Sequence, residues 1–401
     1  MRDRRSSGVG AGIGGLAAAV GLRAAGWDVT VLERDADTRG AGAGISLWSN
    51  GLRALDLLGV GDTIRAHGPL TGQGGIRTGT GRWLSRSSGE RLHTDNDLGV
   101  LILHRAELHS CLLAALPRGA VRTGATVVDV EQTDSSATVI HRTEHAGQQR
   151  LTAALVVVAD GVRSRVRAAI LPRAGAPAYA GFTAWRGVTG DRCALPRQSE
   201  SWGRGAVFGL TQLPDGRVYW FATANERPGG RHADERAEVL RRFGSWHPPI
   251  GEIVRSTDPE AVLRHDIYSH PRPLAEFTLG RVALLGDAAH AVTPNLGQGG
   301  GLALEDAVVL ASELAGDGPV SRALARYDAA RRPRAERISA LSQRIGRLAQ
   351  AENPILTTLR DTLVALTPST VSARSLARTA AWRPPSPGPG GSGPMRQDDA
   401  S

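Results

Sequence analysis

Three glycines near the amino terminus and an acid after them have the spacing of a nucleotide site. Gly10, Gly12 and Gly15 match the pattern G-x-G-x-x-G, and Glu33 ends the next apolar stretch. In this pattern the glycines allow a tight turn and a close approach of backbone to a pyrophosphate, while the next helix attracts phosphate with its free N–H groups. A carboxylate at the place of Glu33 can accept both hydroxyls of an adenosine ribose. These residues predict a dinucleotide site.

Two further acids stand directly after apolar runs. Asp160 follows residues 155–159, and Asp287 follows residues 282–286. Unbroken runs of Val and Leu are typical of strands buried on both faces of a parallel or mixed sheet that helices cover. Ligands bind beyond the carboxyl ends of such strands, although an acid there can also cap the next helix. Beside a dinucleotide pattern, ligand contact is the favoured interpretation of both acids.

The strand that should lead into Gly10 is unexpectedly polar. Residues 4–9 have the sequence RRSSGV, whereas a buried central strand normally contains Val, Ile or Leu. Either this strand is short and poorly held, or the amino terminus is not the one with which the fold evolved. Whether this strand weakens the retention of a cofactor at the glycine turn stays open.

A segment in the middle of the chain has a different pattern. Residues 182–188, 206–210 and 218–223 are typical of short strands with aromatic side chains, and residues 214–216 supply a turn. They predict a sheet-rich insertion of roughly a hundred residues, to which residues 76–83 are expected to add a strand. After it, residues 320–350 and 354–381 have helical periodicity.

Composition excludes several classes of function. The 401 residues include 48 basic residues, all of them Arg, against 39 acidic ones, for a net charge of +9. Such an excess attracts anions, including phosphorylated cofactors. The densest Arg stretch, residues 326–347, also contains acids and has helical spacing, which favours a solvated helix face over a nucleic-acid site. We expect no nucleic-acid partner.

The two cysteines and the amino terminus indicate a compartment. Cys111 and Cys193 are too few for a disulfide framework and too far apart for a metal-ligand pair. Residues 1–7 are charged where a signal peptide is apolar, and no run approaches the roughly 18 apolar residues of a membrane span. We expect a cytoplasmic protein without a membrane span or a metal.

Taken in order, the motifs resemble the class A flavin monooxygenases. These are the para-hydroxybenzoate hydroxylase-like enzymes, which include salicylate and urate hydroxylases and zeaxanthin epoxidase. The resemblance extends over residues 8–350 and rests on Gly10–Gly15 with Glu33, His104–Leu108, Ala159–Ser164, Leu285–His290, Pro294–Gly299 and Glu305–Ala307.

The resemblance implies an α/β fold with a Rossmann-like FAD-binding domain of the glutathione reductase type. An inserted β-sheet domain would bind the substrate, and helices would follow at the carboxyl terminus. We expect the FAD-binding domain to comprise residues 1–72, 98–175 and 276–350, the substrate domain residues 73–97 and 176–275, a carboxyl-terminal helix residues 351–385, and a disordered tail residues 386–401.

The resemblance also implies one FAD, reduced by NADH or NADPH, which reacts with O2 to form a flavin C4a-hydroperoxide that hydroxylates the substrate. Glu33 would hold the adenosine ribose, Arg105 the FAD chain and Asp287 the ribityl hydroxyls. Asp160 would serve the pyrophosphate region and the transient nicotinamide site. Further implied cofactor contacts are Gly10, Gly12, Gly14, Gly15, Arg34, Gly286, Gly297, Gly299 and Gly300.

The glycine-rich loop has a physical explanation beside the resemblance. Pro294 and Gly297–Gly301 would pass beside the isoalloxazine ring, and four of these five positions are Gly. A run of glycines costs conformational entropy on folding, and an ordinary helix start does not need one. We therefore expect that side chains are absent here because the backbone approaches a flat ring. The N–H groups of the following helix can then stabilise negative charge on the flavin.

The substrate side is less informative. Alternation places Trp185 and Arg186 on opposite faces of a strand, and likewise Tyr219 and Trp220, so only one of each pair can line a pocket. Arg186, a charge in an apolar strand, is the best candidate. The catalytic candidates are Arg186, Tyr219, His290 and Pro294, where His290 is either a base or a residue that caps or supports the site.

The predicted function is hydroxylation of a small aromatic or heteroaromatic substrate by a monomer or homodimer. Alternatives are epoxidation of an alkene, oxidation without oxygen insertion, and a flavin-free binding protein of the same fold that holds lipidated partners. Retention of Glu33, Arg105, Asp160 and Asp287 weighs against the binding protein. The substrate, the position of hydroxylation and the choice between NADH and NADPH stay open.

Overall fold

A computed structural model describes residues 3–37, 43–70, 74–87, 99–144, 146–195 and 197–384. The expected disordered tail and residues 88–97 of the expected substrate domain lie outside the described residues.

The strands, in chain order, are β1 (Arg5–Val9), β2 (Asp28–Leu32), β3 (Gly44–Trp48), β4 (Gly74–Thr78), β5 (Trp83–Ser87), β6 (Val100–His104), β7 (Val121–Arg122), β8 (Thr126–Gln132), β9 (Ala137–Thr143), β10 (Gly147–Ala153), β11 (Leu155–Val158), β12 (Ala178–Val188), β13 (Ser199–Trp202), β14 (Ala206–Gln212), β15 (Val218–Asn225), β16 (Leu263–Ser269), β17 (Thr278–Leu279) and β18 (Val282–Leu284). The α-helices are α1 (Ile13–Ala24), α2 (Ser49–Leu57), α3 (Gly61–Arg65), α4 (Arg105–Ala114), α5 (Arg165–Ile170), α6 (Glu235–Phe243), α7 (Ile250–Arg255), α8 (Asp287–His290), α9 (Gly299–Leu314), α10 (Val320–Ala349), α11 (Pro354–Leu366) and α12 (Ser369–Ala380).

A six-stranded sheet brings the three predicted strand-and-turn segments together. Its order is β17-β18-β11-β1-β2-β7, and all neighbours are parallel except β17 and β18. Strands β1, β11 and β18 end at Val9, Val158 and Leu284, so the turns that carry Gly10, Asp160 and Asp287 emerge at one edge. Helices α1 and α9 pack against each other over this sheet, and their apolar side chains belong to one buried cluster.

The polar opening strand occupies a central position in this sheet. β1 lies between β2 and β11 and pairs with both over four or five residues, so the expectation of a poorly held strand is wrong. Ser6 and Ser7 are buried, with 3% and 1% of their surfaces exposed. Ser6 and Gly8 line a cavity of only about 10 Å³ beside α1. A Cβ at Gly8 would also lie 3.3 Å from Cγ2 of Val31 on β2, so there is little room for larger side chains at these two positions. Backbone pairing, rather than apolar side chains, holds this strand.

A seven-stranded sheet forms the second layer. Its order is β16-β12-β15-β14-β13-β4-β5, antiparallel apart from the pair β13 and β4. The predicted strands of the insertion are present, but β13 and β16 were not predicted. Residues 76–83 cover the end of β4, a turn and the first residue of β5, so this segment contributes to two strands of the sheet instead of the one expected. One face packs against α6 and α7 through Trp185, Phe208 and Trp220.

Two smaller sheets complete the described strands. β3 pairs with β6, and β8, β9 and β10 form an antiparallel meander. The domain boundaries stay a prediction, which the alternation of the two larger sheets along the chain supports.

The carboxyl-terminal helices differ from the prediction in one respect. Residues 354–381 form two helices, α11 and α12, instead of one. Thr367 has an extended conformation before Pro368, because a residue that precedes proline is disfavoured in helical geometry. Within the described residues, no helix has both the length and the apolar character needed to cross a bilayer.

The two serines of β1 give a test of its packing. Both hydroxyls are buried without a hydrogen-bond partner among the described residues. We expect Ser6→Ala and Ser7→Ala each to raise the free energy of unfolding by about 1 kcal/mol, because each removes a polar group that folding takes out of water. Urea unfolding measures this, with exposed Ser245→Ala as the control. Destabilisation by either β1 substitution would show that the hydroxyl has a partner.

Candidate active site

The glycine turn after β1 is shaped by backbone contacts on two sides and is open on the third. Gly10 has φ +95°, and a Cβ there would lie 2.6 Å from the carbonyl oxygen of Ala159. A Cβ at Gly15 would lie 1.9 Å from the carbonyl oxygen of Gly10. At Gly12, by contrast, a Cβ would meet no heavy atom of the described residues within 4 Å. The first and third glycines of the pattern are therefore needed for packing, and the second leaves room at the surface of the turn.

The start of α1 and Glu33 meet at this turn. Gly12 precedes α1 and supplies no side-chain cap to its first N–H groups, which is the arrangement that binds phosphate. Glu33 accepts hydrogen bonds from the N–H groups of Ala11, at 2.6 Å, and Asp35, at 3.0 Å. These bonds hold the carboxylate beside the turn, and its remaining lone pairs can accept hydroxyl groups.

Three further residues lie at or near the turn, and each has a different contact. Buried His109, which sequence reasoning missed, donates from Nε2 to the carbonyl oxygen of Ala11 at 2.8 Å. Arg34 is largely exposed and lies 3.5 Å from the carboxylate of Asp35. A Cβ at Gly14 would lie 2.7 Å from Cδ2 of Leu285, so this glycine serves the packing of α1 on the strand-end segment after β18.

The position of Asp160 left open whether it caps a helix or contacts a ligand, and its two carboxylate oxygens differ in this respect. Its Oδ2 accepts a hydrogen bond from the N–H of Arg165 at 3.2 Å, as a capping residue does. Its Oδ1 is buried and has no hydrogen-bond partner among the described residues. Burial raises the pKa of Asp160, and hydrogen bonds from Ser164 and the backbone oppose the rise. One oxygen thus caps α5, and the other is free for a ligand.

Asp287 and Arg105 face one another across the strand ends. Gly286 has φ +59°, which turns the chain from β18 into α8 and presents Asp287. Both charged side chains are accessible to solvent. Enough protein surrounds them that desolvation raises the pKa of Asp287 and lowers the pKa of Arg105, and each charge opposes the shift of the other. Within the described residues neither side chain forms a hydrogen bond or a salt bridge, so both are available to a polar ligand.

The loop before α9 passes close to β3 and α2. Pro294 begins a short 3₁₀ turn, after which Gly297 adopts φ +61°. A Cβ at Gly300 would lie 2.9 Å from Cδ1 of Ile45, and one at Gly301 would lie 2.9 Å from Nδ2 of Asn50. A side chain at either glycine would thus collide with Ile45 or Asn50, so packing is a second reason for glycine at these positions; the approach of this loop to a ring stays a prediction.

The first turn of α9 carries no side-chain cap, because Gln298, the residue before it, does not provide one. A Cβ at Gly299 would make only ordinary contact with Val292, at 3.7 Å. The N–H groups of this turn and the positive end of the helix dipole are therefore available to an anion or a polarised ring.

Trp48 adds an unsatisfied donor beside this loop. Its Nε1–H is buried and has no acceptor among the described residues. A Cβ at Gly297 would lie 3.4 Å from that nitrogen, so the indole borders the loop. Sequence reasoning missed Trp48, because an aromatic residue at the end of a strand is explained equally well by core packing.

The seven-stranded sheet supplies the opposite wall. Register places Arg186 opposite Phe221 and Leu263, and Tyr219 opposite Val188, on one face. This face meets β3, since a Cβ at Gly44 would lie 2.4 Å from the Tyr219 ring. Alternation is confirmed: Trp185, Phe208 and Trp220 pack on the other face.

Charges on this wall influence one another. Burial raises the pKa of the Tyr219 phenol, and the neighbouring Arg186 guanidinium opposes the rise. His265, which sequence reasoning missed, follows Leu263 at the alternate position of β16 and is exposed. Desolvation, Arg186 and Arg105 lower its pKa in that order. The influence of Arg105 and Arg186 on the same imidazole indicates that the two walls approach each other here.

His290 lies behind the site instead of lining it. Its ring is buried, and Nε2 lies 2.5 Å from Oδ2 of Asp306. Burial would lower the pKa of His290, but the Asp306 carboxylate raises it above its ordinary value. Asp306 also accepts hydrogen bonds from the N–H of Gly286 at 3.0 Å and Nε of Arg331 at 2.7 Å. This placement favours the supporting role of His290 over that of a base.

The expectation of a solvated face for the Arg-rich helix is wrong in part. Arg331 on α10 is 1% exposed and forms salt bridges with Asp306 and Glu305, both at 2.7 Å. Arg334 pairs with Glu305 at 2.6 Å. The available signal was spacing: Arg331 lies four residues from buried Tyr327 and four from buried Ala335, on the inner face of α10.

The polar groups at the strand ends fit an extended dinucleotide with a flat ring. Uncapped N–H groups of α1, the carboxylate of Glu33, the unpartnered Oδ1 of Asp160 and the unpaired Asp287 follow the edge of the sheet. They lead to the uncapped start of α9 beside Trp48. The sequence family described as "FAD binding domain" matches residues 8–342. The chain belongs to this family.

Relatives with known names share both sequence and fold with the chain. It is 38% identical to an aurachin C monooxygenase/isomerase of Stigmatella aurantiaca, over 88% of this chain and 92% of the relative. It is 34% identical to an FAD-dependent urate hydroxylase of Klebsiella pneumoniae, over 80% of this chain and 84% of the relative. The solved structure of Klebsiella pneumoniae HpxO with FAD and uric acid superimposes with a TM-score of 0.85 at 29% identity, covering 94% of this chain and 96% of that one. The predicted family, fold class, FAD cofactor and monooxygenase class are confirmed.

A histidine behind the site predicts an acid-sensitive stability. Arg167 donates from Nη1 to Nε2 of buried His270 at 3.0 Å, which requires a neutral ring. Burial and Arg167 lower the pKa of His270 to about 4. Because the unfolded chain binds this proton more tightly, stability is lost as pH falls from about 6.5 to about 4 and is unaffected at higher pH.

We expect His270→Gln to reduce that acid-dependent loss by up to about 3 kcal/mol, since the glutamine oxygen can still accept from Arg167. Urea unfolding at a series of pH values between 8 and 4 measures it, with exposed His67→Gln as the control. Parallel stability curves for the variant and the parent protein would contradict the assignment.

Proposed function

We propose that the protein is an FAD- and NAD(P)H-dependent monooxygenase that uses O2 to hydroxylate a small planar heteroaromatic compound. One observation carries the proposal: unpaired Asp287 and Arg105 at the strand ends face a wall that presents Arg186 and Tyr219. A cofactor edge and a substrate wall with complementary polar groups are the elements that such an enzyme requires.

The roles of the cofactor residues follow from their positions. Glu33 would accept the adenosine ribose hydroxyls, and the turn from Gly10 to Gly15 with the start of α1 would hold the pyrophosphate. Asp160 and Arg105 would bind the middle of the chain, and Asp287 the ribityl hydroxyls. Pro294 and Gly297 to Gly300 would border the ring. Arg34 and Gly286 complete the proposed set, the first at the exposed ribose end and the second through the turn it forms.

Bound there, FAD would supply the activation of oxygen, which no side chain can perform. The protein's contribution is electrostatic and steric. The uncapped N–H groups of α9 stabilise negative charge on the edge of a ring that they face. Tyr219 and Phe221 form an apolar cover that limits the entry of water.

Arg186 is the residue proposed to orient the substrate. Its guanidinium lies on the same face as Tyr219 and interacts with that phenol. A cation in this position favours the deprotonated form of a substrate hydroxyl or lactam, and deprotonation makes the ring more electron-rich. The donor Nε1–H of Trp48 offers a second polar contact to a heteroaromatic oxygen or nitrogen.

Heteroaromatic hydroxylation is favoured over the alternatives. Two of the relatives are named for heteroaromatic compounds, aurachin C and urate. Their names support a heteroaromatic substrate over an alkene for the present chain. A flavin-free binding protein would have no use for the unpaired acids at the strand ends. Residence in the cytoplasm, a monomeric or homodimeric state, and the use of NADH or NADPH belong to the same proposal.

Removal of one carboxylate tests the cofactor site. We expect Asp287→Ala to lower the flavin content of the purified protein at least tenfold, because two strong hydrogen bonds to ribityl hydroxyls correspond to roughly 1.4 kcal/mol or more. The ratio of flavin to protein absorbance measures this. Glu252→Ala, an exposed carboxylate on α7, is the control and should retain the flavin. Full flavin occupancy in Asp287→Ala would remove Asp287 from the site.

The reaction itself is tested by a panel of purines, quinolones, hydroxybenzoates and alkenes. We expect one heteroaromatic class to accelerate NADH or NADPH oxidation and to acquire one ¹⁸O atom from ¹⁸O2, as mass spectrometry detects. An epoxide as the product, or a protein that cannot be loaded with FAD, would refute the proposed function.

Arg186→Ala separates substrate orientation from cofactor binding. We expect unchanged flavin content but a several-fold larger fraction of reducing equivalents released as hydrogen peroxide, because a misplaced substrate accepts oxygen less efficiently. Exposed Arg192→Ala is the control. Coupling equal to that of the parent protein would exclude Arg186 from the pocket.

A further inference from the structure

Helix α11 turns an apolar face to solvent. Ile355 and Leu366 expose 78% and 75% of their surfaces, and Leu356, Leu359 and Leu363 more than half. At about 100° per residue these five side chains fall within one narrow arc of the helix. We call them the α11 stripe. Scattered exposed leucines are ordinary, but a contiguous apolar stripe on one helix marks a contact surface.

The opposite side of α11 is fastened to the protein. Thr357 and Arg360 are buried on that side, and Val364 packs near Trp202. Arg360 donates to the carbonyl oxygens of Gly203 and Ala349, each at 3.1 Å, and lies over the Trp202 ring. The helix is thus held with its apolar face outward, and the stripe does not result from a detached segment.

The helices before and after α11 in the chain carry basic side chains. Five exposed arginines lie on the end of α10, on α12 and just after it, and within the described residues none of them forms a salt bridge: Arg344, Arg347, Arg374, Arg378 and Arg383. Residues 343–384 contain only two acids, and both are engaged. Asp361 pairs with Arg360 at 2.8 Å, and Glu352 accepts from Asn225 at 2.8 Å.

We propose that the α11 stripe docks on the surface of an anionic lipid bilayer. An exposed apolar helix face with unpaired arginines on the adjacent segments of the chain has the composition of a membrane-interface region, where acyl chains cover the leucines and lipid phosphates pair with the guanidinium groups. A second copy of the chain is disfavoured as the occupant. A twofold interface places each patch against itself, so the same unpaired arginines would face one another.

Docking on this side places the substrate wall near the lipid. α11 packs against β5, and Val364 shares a cluster with Trp202 and Phe221. Phe221 lies opposite Arg186 in register. Trp202 and Phe221 thus lie between α11 and Arg186, the residue proposed to orient the substrate. An aromatic compound dissolved in the lipid would have a short path to Arg186.

Sedimentation with vesicles tests the proposal. Flavin-loaded protein is mixed with sucrose-loaded vesicles of equimolar phosphatidylglycerol and phosphatidylcholine, or of phosphatidylcholine alone. We expect binding to the anionic vesicles that weakens with salt, and roughly tenfold or greater weakening in Leu359→Gln/Leu363→Gln. Arg374→Gln/Arg378→Gln should reduce binding to the anionic vesicles and its salt dependence. The control Leu57→Gln replaces an exposed leucine on α2 and should bind as the parent protein does.

Every variant is compared at equal flavin absorbance, which reports an intact fold. The proposal is overturned if the parent protein stays in the supernatant with both vesicle types, or if the leucine variant sediments as the parent protein does. It is also overturned if light scattering shows a dimer that the leucine variant converts to monomers and that vesicles do not compete with. In that case a second copy covers the stripe.

Discussion

The buried carboxylate of Asp306 holds the parts of the site in their relative positions. It accepts hydrogen bonds from the Gly286 backbone, from His290 and from Arg331, so one side chain joins the turn after β18 to α9 and α10. Burial alone would raise its pKa, yet His290 and Arg331 hold the pKa of Asp306 far below its usual range. Losing one partner of such a group typically costs about 3–5 kcal/mol. The direction in which Asp287 points, and the start of α9, both depend on this cluster.

The opposite wall is positioned by a different constraint, the alternation of side chains along β12 and β15. Trp185 and Trp220 anchor one face of the sheet to α6 and α7. The same strands must then present Arg186 and Tyr219 on the other face, since neighbouring residues point to opposite sides. Apolar packing on one side of the sheet thus fixes the polar groups on the other. Few additional interactions are needed to aim them toward the strand ends that carry Asp287.

The sequence predicted those features whose signals are local. The glycine turn, Glu33 and the apolar runs before Asp160 and Asp287 each lie within a short segment, and their spacing was sufficient. The central place of β1 was not predictable from its polar side chains, because the small space at Ser6 and Gly8 is set by α1 and by Val31 of β2, which belong to other segments of the chain. Arg331 resembled its solvated neighbours, since its partners Glu305 and Asp306 lie about 25 residues away. The placement of Trp48 and His265 beside the site depends on contacts between strands that are distant in the sequence, so no local pattern predicted it.

The pairing of the first helix with a late one has a consequence for synthesis on the ribosome. The indole N–H of Trp27, just after α1, donates to the carbonyl oxygen of Leu314, 287 residues further along the chain. At about 5–20 residues per second, the apolar surface of α1 would wait roughly 15 to 60 s for its partner to be translated. During that interval the nascent polypeptide exposes an apolar, alanine-rich segment to which a chaperone could bind. The nucleotide can stabilise the molecule only after the strand end that carries Asp287 and the helix α9 that follows it have been translated.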